Sequence, residues 1–288
     1  MNDLIVQSIN SIVFSMLLFV MAAGLSLIFG HMNFINLAHG SFYVLGGYIG
    51  YTMISKIGSY WMALIIVPIL VGLVGATIEF LFLRRLYGKH RHLEQVLFTM
   101  GLALITADII RSNWGTYVVT VKTPLLLDGS ISILDSQFPL YRLVVIGIGL
   151  TIAVVLWILM QRTRLGIILR AGVFDKNLVS ESGINIQAIF TGIFGLGSAL
   201  AALAGVIGAP LHSLYPGLQF EILVLTLAVV IVGGLGSLQG AFFGSLLIGI
   251  ADTFGKALLP EISLFLIFAL MAIVLLVKPR GLFGAQSN

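Results

Sequence analysis

LIVQSINSIVFSMLLFVMAAGLSLIFGHMNFINLAHGSFYVLGGYIGYTMIS, residues 4–55, contains no Asp, Glu, Lys or Arg. A helix needs about 20 apolar residues to cross the hydrocarbon core of a bilayer. This stretch is long enough for two such helices, with a break at its polar middle. Other charge-free runs cover 57–78, 95–107, 143–161, 182–220, 222–251 and 262–277. A transmembrane barrel would show short alternating segments instead. The pattern predicts an all-α, polytopic membrane helical bundle of about 8–10 spans. The predicted spans are 9–30, 40–56, 61–83, 95–112, 142–161, 188–209, 221–235, 240–256 and 261–277.

Composition agrees. Of the 288 residues, 59% are hydrophobic and 9% charged, with a mean hydropathy of +1.12. Soluble domains carry about 25% charged residues. Soluble enzymes and nucleic-acid-binding domains are therefore excluded. The net charge of +4 reports topology rather than a nucleic-acid partner. There is no cysteine, which removes disulfides, thiolate metal sites and cysteine nucleophiles. The first basic residue is Lys56, so no cleavable signal peptide is expected.

Basic residues orient the bundle. Arg84, Arg85, Lys89, Arg91, Arg162, Arg164, Arg170, Lys176, Lys278 and Arg280 fall in loops of one parity. Lys56, Arg111, Lys122, Arg142 and Lys256 fall on the other. The excess of Lys and Arg marks the cytoplasmic side. It places 84–94, the 162–187 loop and the C-terminus inside, and the 113–141 segment outside. Single crossings by 9–30 and 40–56 would start the chain outside.

No H-E-x-x-H pair is present, so a membrane zinc protease lacks its ligands. His31 and His39 are eight apart, too far for coordination at i,i+4, and the sequence offers no catalytic dyad around Ser41. GIADTFGKA at 249–257 fails the phosphate-loop spacing and ends in Ala257 where Ser or Thr would hold magnesium. Any ATP that drives this protein is therefore bound by another chain. Four acidic residues sit in or near apolar segments, where a carboxylate is costly. Asp108 has Arg111 at i+3 and Asp252 has Lys256 at i+4, spacings that allow local ion pairs. Glu79 lies near Arg84 and Arg85, and Glu221 is placed to start a helix. None reads as a lone proton carrier, which weighs against an ion-coupled secondary transporter, the alternative reading. Gly197, Ala201, Gly205 and Ala209 form a stripe of small residues, as do Gly240 and Gly244, and both suit close helix packing.

Two segments are more specific. GHMNFINLAHG at 30–40 interrupts the long uncharged run with Asn33, Asn36 and His39. It suits either an unwound helix beside a translocation path or a tight turn capped by asparagines. The second is 162–187, where Leu165, Ile168, Leu169 and Gly172 share a helical side and Gly183 ends the pattern. It suits either a helix presented to a cytoplasmic partner or an amphipathic loop lying on the membrane.

Four stretches together resemble a known family: GLSLIFGHMNFINLAHG at 24–40, RAGVFDKNLVSESGIN at 170–185, GGLGSLQGAFFG at 233–244 and KPRGLFG at 278–284. In this order they are similar to the LivH-like permease subunits of high-affinity branched-chain amino acid ABC importers. The resemblance implies that 1–288 is a single permease domain forming half of a pore that works by alternating access. It implies leucine, isoleucine and valine as cargo, with relatives known for urea, amides and aromatic acids. It implies a paralogous permease, two ATPase subunits that bind ATP and Mg, and an extracytoplasmic binding protein, in a multi-pass bacterial or archaeal cytoplasmic membrane. No enzyme activity and no cofactor is implied for this chain. The 162–187 loop would be the ATPase-coupling element, with Arg170, Ala171, Asp175, Lys176, Gly183, Ile184 and Asn185 at the dock. Asn33, Asn36 and His39 would lie near the translocation path.

Overall fold

A computed structural model describes residues 2–87, 91–133, 136–174, 179 and 181–284. Its described helices are α1 (Asn2–Met32), α2 (His39–Ile57), α3 (Tyr60–Leu81), α4 (His92–Trp114), α5 (Leu140–Arg162), α6 (Arg164–Phe174), α7 (Ile186–Gly208), α8 (Leu218–Gly233), α9 (Leu238–Leu258) and α10 (Ser263–Val277). All nine predicted spans are helices, and the fold is a polytopic helical membrane bundle. The described residues include seven helices long and apolar enough to cross a membrane. The other two predicted spans differ. α8 has only 16 residues, whereas the helical turn Pro260–Ile262 extends α10 to an 18-residue span, and α2 is diluted by glycines, tyrosines and a histidine. A two-stranded hairpin was not foreseen. β1 (Ser130–Ile133) pairs antiparallel with β2 (Ser136–Pro139), Ile131 facing Phe138.

Helix boundaries follow local chemistry. Ser59, Asn185 and Ser237 each accept a backbone N–H from the first turn of the helix that follows, relieving orphan donors. Gly58 ends α2 with φ +75° and its N–H on Ile54 O.

α1 is the axis. It packs against α5, α7, α8 and α9, while α2 packs against α3, α4, α7 and α8. A helix that is apolar all round is a buried helix, and 83% of the most apolar window of α1 is covered by the rest of the chain. α10 is the opposite case, with 6% covered. The stripe of small residues on α7 turns toward α1 and α2. A Cβ on Gly197 would stand 2.9 Å from Gly24 O, and one on Gly205 would overlap Tyr43 O. Close backbone approach of this kind needs residues without bulk.

The two ends of the bundle are chemically distinct. At one end Asn10 accepts from Arg142, Trp114 Nε1 donates to Thr52, and Val119 exchanges two backbone hydrogen bonds of 2.8 Å with Leu214. At the other, Arg84 reaches Gln187 and Thr191, and Leu282 N donates to Val232 O. The second end carries the Arg84/Arg85, 162–187 and 278–284 segments, so the excess of basic residues assigns it to the cytoplasm. α1 runs from one end to the other in a single pass.

Candidate functional site: a four-motif junction at the basic end

The four motif stretches converge. Gly30, at the end of α1, lies against Gly236 of the α8–α9 turn, so close that a Cβ there would be 3.0 Å from Gly236 Cα. The KPRGLFG stretch then docks on the same turn, with Leu282 N on Val232 O and Phe283 N on Gly233 O, each 2.9 Å. His31 shares a small cavity with Leu169 and Gly172 of α6 and with Val179. Its Nδ1 lies 2.8 Å from Leu27 O. The 170–185 stretch thus meets the other three through the foot of α1.

The 162–187 segment has a defined frame. On α6, Leu169 is buried and Ile168 and Gly172 are half-buried, while Leu165 is exposed; the covered side is therefore narrower than the sequence pattern. Arg170 is exposed and folds back to donate to Met160 O at the end of α5. Ala171 is exposed beside it. Asp175 and Lys176 lie outside the described residues. Gly183 has φ +80° with open space where a Cβ would be. Ile184 is half-buried, and Asn185 Oδ1 accepts Ala188 N at 3.0 Å, capping α7. Gly183 and Asn185 therefore fix how the chain leaves the loop and enters α7.

Directly behind that entrance lies a buried charge cluster. Glu79, near the end of α3, is wholly buried. Its Oε1 accepts from Tyr87 at 2.6 Å, its Oε2 accepts from Thr191, and Arg84 Nη2 stands 4.0 Å away. Arg84 Nη2 also donates to Thr191 Oγ1 at 2.8 Å, and its guanidinium covers the Phe80 ring. Burial, then the hydrogen bond to Glu79 and its negative charge, push the Tyr87 phenol well above its ordinary pKa, against a smaller opposing effect of Arg84. The sequence suggested Arg84 for Glu79 but gave no sign of Thr191 or Tyr87. Thr191 is 112 positions away, and no local spacing encodes that contact.

The 33–39 break lies at this same end of the bundle. Asn33 is exposed, with φ +56°, and its N–H closes α1 on Phe29 O at 2.9 Å. Asn36 is buried; its Oδ1 accepts Ala38 N at 3.0 Å, and its own carbonyl accepts His39 N. His39 is buried too, with Nε2 donating to Met21 O of α1 at 3.0 Å. Asn36 Nδ2 and His39 Nδ1 are buried without a hydrogen-bond partner among the described residues. The three residues thus build a capped turn, and two of them keep a polar atom in reserve.

The remaining acidic residues sit apart. Asp108 and Arg111 pair at 3.6 Å on an exposed face, Asp252 and Lys256 pair at 2.8 Å, and Glu221 stands in the first turn of α8.

The family model described as "Branched-chain amino acid transport system / permease component" matches residues 7–275. The chain is 27% identical over 296 residues to the high-affinity branched-chain amino acid transport system permease protein BraD of Pseudomonas aeruginosa, covering 96% of this chain and 95% of that one. It is 27% identical over 301 residues to the permease protein LivH of Escherichia coli, covering 96% and 94%. A probable branched-chain amino acid transport permease of Methanocaldococcus jannaschii is 26% identical over 292 residues, covering 96% and 91%. No solved structure matches the chain significantly.

Proposed function

The chain belongs to the branched-chain amino acid transport permease family, and from that premise we propose that it forms half of the pore of an ATP-driven importer for leucine, isoleucine and valine. It is a multi-pass protein of the cytoplasmic membrane. Permeases of ABC importers act with ATPases and a substrate-binding protein. The complement proposed here is a paralogous permease, two ATPases that hold ATP and Mg, and one extracytoplasmic binding protein. In this reading the chain hydrolyses nothing. It converts docking and release of the ATPases into alternating access, a population shift driven by differential contacts.

The observation that carries the reading is the junction itself. The element resembling the ATPase-coupling loop leaves through a left-handed Gly183 and enters α7 beside a buried Glu79–Arg84–Thr191 cluster. A movement of the loop would therefore be passed to α3 and α7 together. Arg170, Ala171, Asp175, Lys176, Gly183, Ile184 and Asn185 are proposed as the docking set. Asn33, Asn36 and His39 are proposed to border the path at its cytoplasmic mouth.

The test is reconstitution. The chain, co-expressed with its neighbouring permease, ATPases and binding protein, should take labelled leucine into liposomes only when ATP is supplied. Uptake by this chain alone, set by an ion gradient, would overturn the reading.

A further inference from the structure

A cavity of about 340 Å³ opens at the end opposite the junction, among α1, α5, α9 and the loop between α7 and α8. That volume is in the usual range of small-ligand sites, ~300–1,000 Å³. Its polar wall includes Gln7, Asn10, Arg142, His212, Asp252 and Lys256. Its apolar wall is Val13, Phe14 and Leu211. A lining of both charges beside an apolar patch is unusual for a helix surface that faces only lipid.

The charges are not evenly matched. Arg142 donates to Asn10 Oδ1 and lies over the Phe138 ring, but has no carboxylate partner among the described residues. Guanidinium is the group best shaped to hold a carboxylate in two parallel hydrogen bonds. The side chain of Asp252 is 7% exposed, whereas that of its partner Lys256 is 60% exposed. The Lys256 ammonium stands 2.8 Å from Asp252 Oδ2 and 5.6 Å from the centre of the Phe14 ring. A carboxylate and an aromatic face are the two usual receptors of a cation. In the empty cavity both are met by Lys256, a flexible side chain that lies largely in solvent.

We propose that this cavity receives a zwitterionic α-amino acid: Arg142 takes the α-carboxylate, the α-ammonium displaces Lys256 from Asp252 and Phe14, and Val13, Phe14 and Leu211 meet the apolar side chain. The inference rests on the importer reading and gives it an extracytoplasmic binding site within this chain. Lys256 occupies in the empty protein the position that the ligand's ammonium takes when bound. It keeps Asp252 neutralised and leaves when cargo arrives.

The test uses the intact reconstituted complex without its binding protein, and the probe is labelled leucine at equilibrium. Saturable leucine binding is expected. 4-Methylpentanoic acid, which lacks the amine, and 3-methylbutylamine, which lacks the carboxylate, should compete weakly. Arg142→Gln and Asp252→Asn should each weaken binding about ten-fold or more, the usual size of a lost charged hydrogen bond. Lys256→Met should leave binding unchanged or tighten it. That opposite sign separates a ligand site from a structural ion pair, for which Asp252→Asn and Lys256→Met would be equally harmful. Equal harm would overturn the proposal, as would unchanged binding in Arg142→Gln. Protection of the cavity by phosphatidylethanolamine but not by leucine would overturn it in favour of a lipid headgroup. The premise is checked separately by uptake with the binding protein and ATP present. ATP-driven leucine uptake without these binding effects sinks the cavity assignment alone. Absence of branched-chain amino acid uptake sinks both.

Discussion

The hydroxyl of Thr191, in the second turn of α7, donates to the carboxylate of Glu79 near the end of α3. Glu79 is wholly buried, so this bond joins two helices through a charge that has no water to fall back on. Removing one partner from a buried charge is costly, about 3–5 kcal/mol when the ion partner itself is lost and about 1–3 kcal/mol for an unmet hydrogen bond. Thr191→Val keeps the shape and deletes the donor. It should lower the stability of the complex by about 1–3 kcal/mol, and Thr191→Ser should restore most of it. Thermal unfolding of the purified complex measures both. Equal melting of wild type and Thr191→Val would remove the cluster from the account.

Gly183 gives a cleaner separation of docking from folding. Its φ of +80° is open to glycine and strained for a β-branched residue, and nothing lies within 4 Å of the position a Cβ would take. The cost of Gly183→Val is therefore confined to the turn, roughly 1–2 kcal/mol. The chain should insert normally and lose its ATPases on mild-detergent purification. Gly183→Asn, which tolerates the left-handed region better, should retain more of them. Normal ATPase stoichiometry with Gly183→Val would count against the docking set.

Gly205 has the opposite environment. A Cβ there overlaps Tyr43 O of α2, and backbone cannot move aside as a flexible side chain can. Gly205→Val should force α2 and α7 apart and abolish a monodisperse peak in size-exclusion chromatography. Gly172→Ala, with open space around it, is the matched control and should elute as wild type.

Asn36 tests the polar break. Asn36→Leu removes the side-chain oxygen that accepts Ala38 N across the turn and should destabilise the protein by about 1–3 kcal/mol, the cost of a buried donor left unmet. Asn36→Ser keeps a side-chain oxygen at the turn without placing a charge at this buried position. If Asn36 borders the path, Asn36→Ser should alter uptake while losing less stability than Asn36→Leu. Wild-type uptake by Asn36→Ser would reduce the residue to its turn.

Much of the fold was legible because membrane burial writes itself along the chain. The nine apolar stretches became helices, and the pairs Asp108–Arg111 and Asp252–Lys256 formed at their predicted helical spacing. Local period carries such information. What the sequence did not carry is long-range. Thr191 and Tyr87 find Glu79 only once α3 and α7 are packed, and Arg142 meets Asn10 from 132 positions away. The β1–β2 hairpin was missed because two four-residue strands in a polar loop give little alternation to read. The 33–39 stretch was open to two readings because a capped turn and an unwound helix use the same asparagines and glycines. It is a capped turn, and Asn36 and His39 still leave buried polar atoms unmet.

The coverage of α1 has a consequence for how the protein is made. Its packing partner α7 begins at residue 186 and α9 at 238. At ~5–20 residues per second of synthesis, α1 waits about ten to thirty seconds for α7 and longer for α9. During that interval Ser15, Gly24 and Ser26, all buried in the finished bundle, face lipid or the insertion machinery. The nascent chain thus exposes, until its second half exists, the small and polar residues that the finished bundle hides.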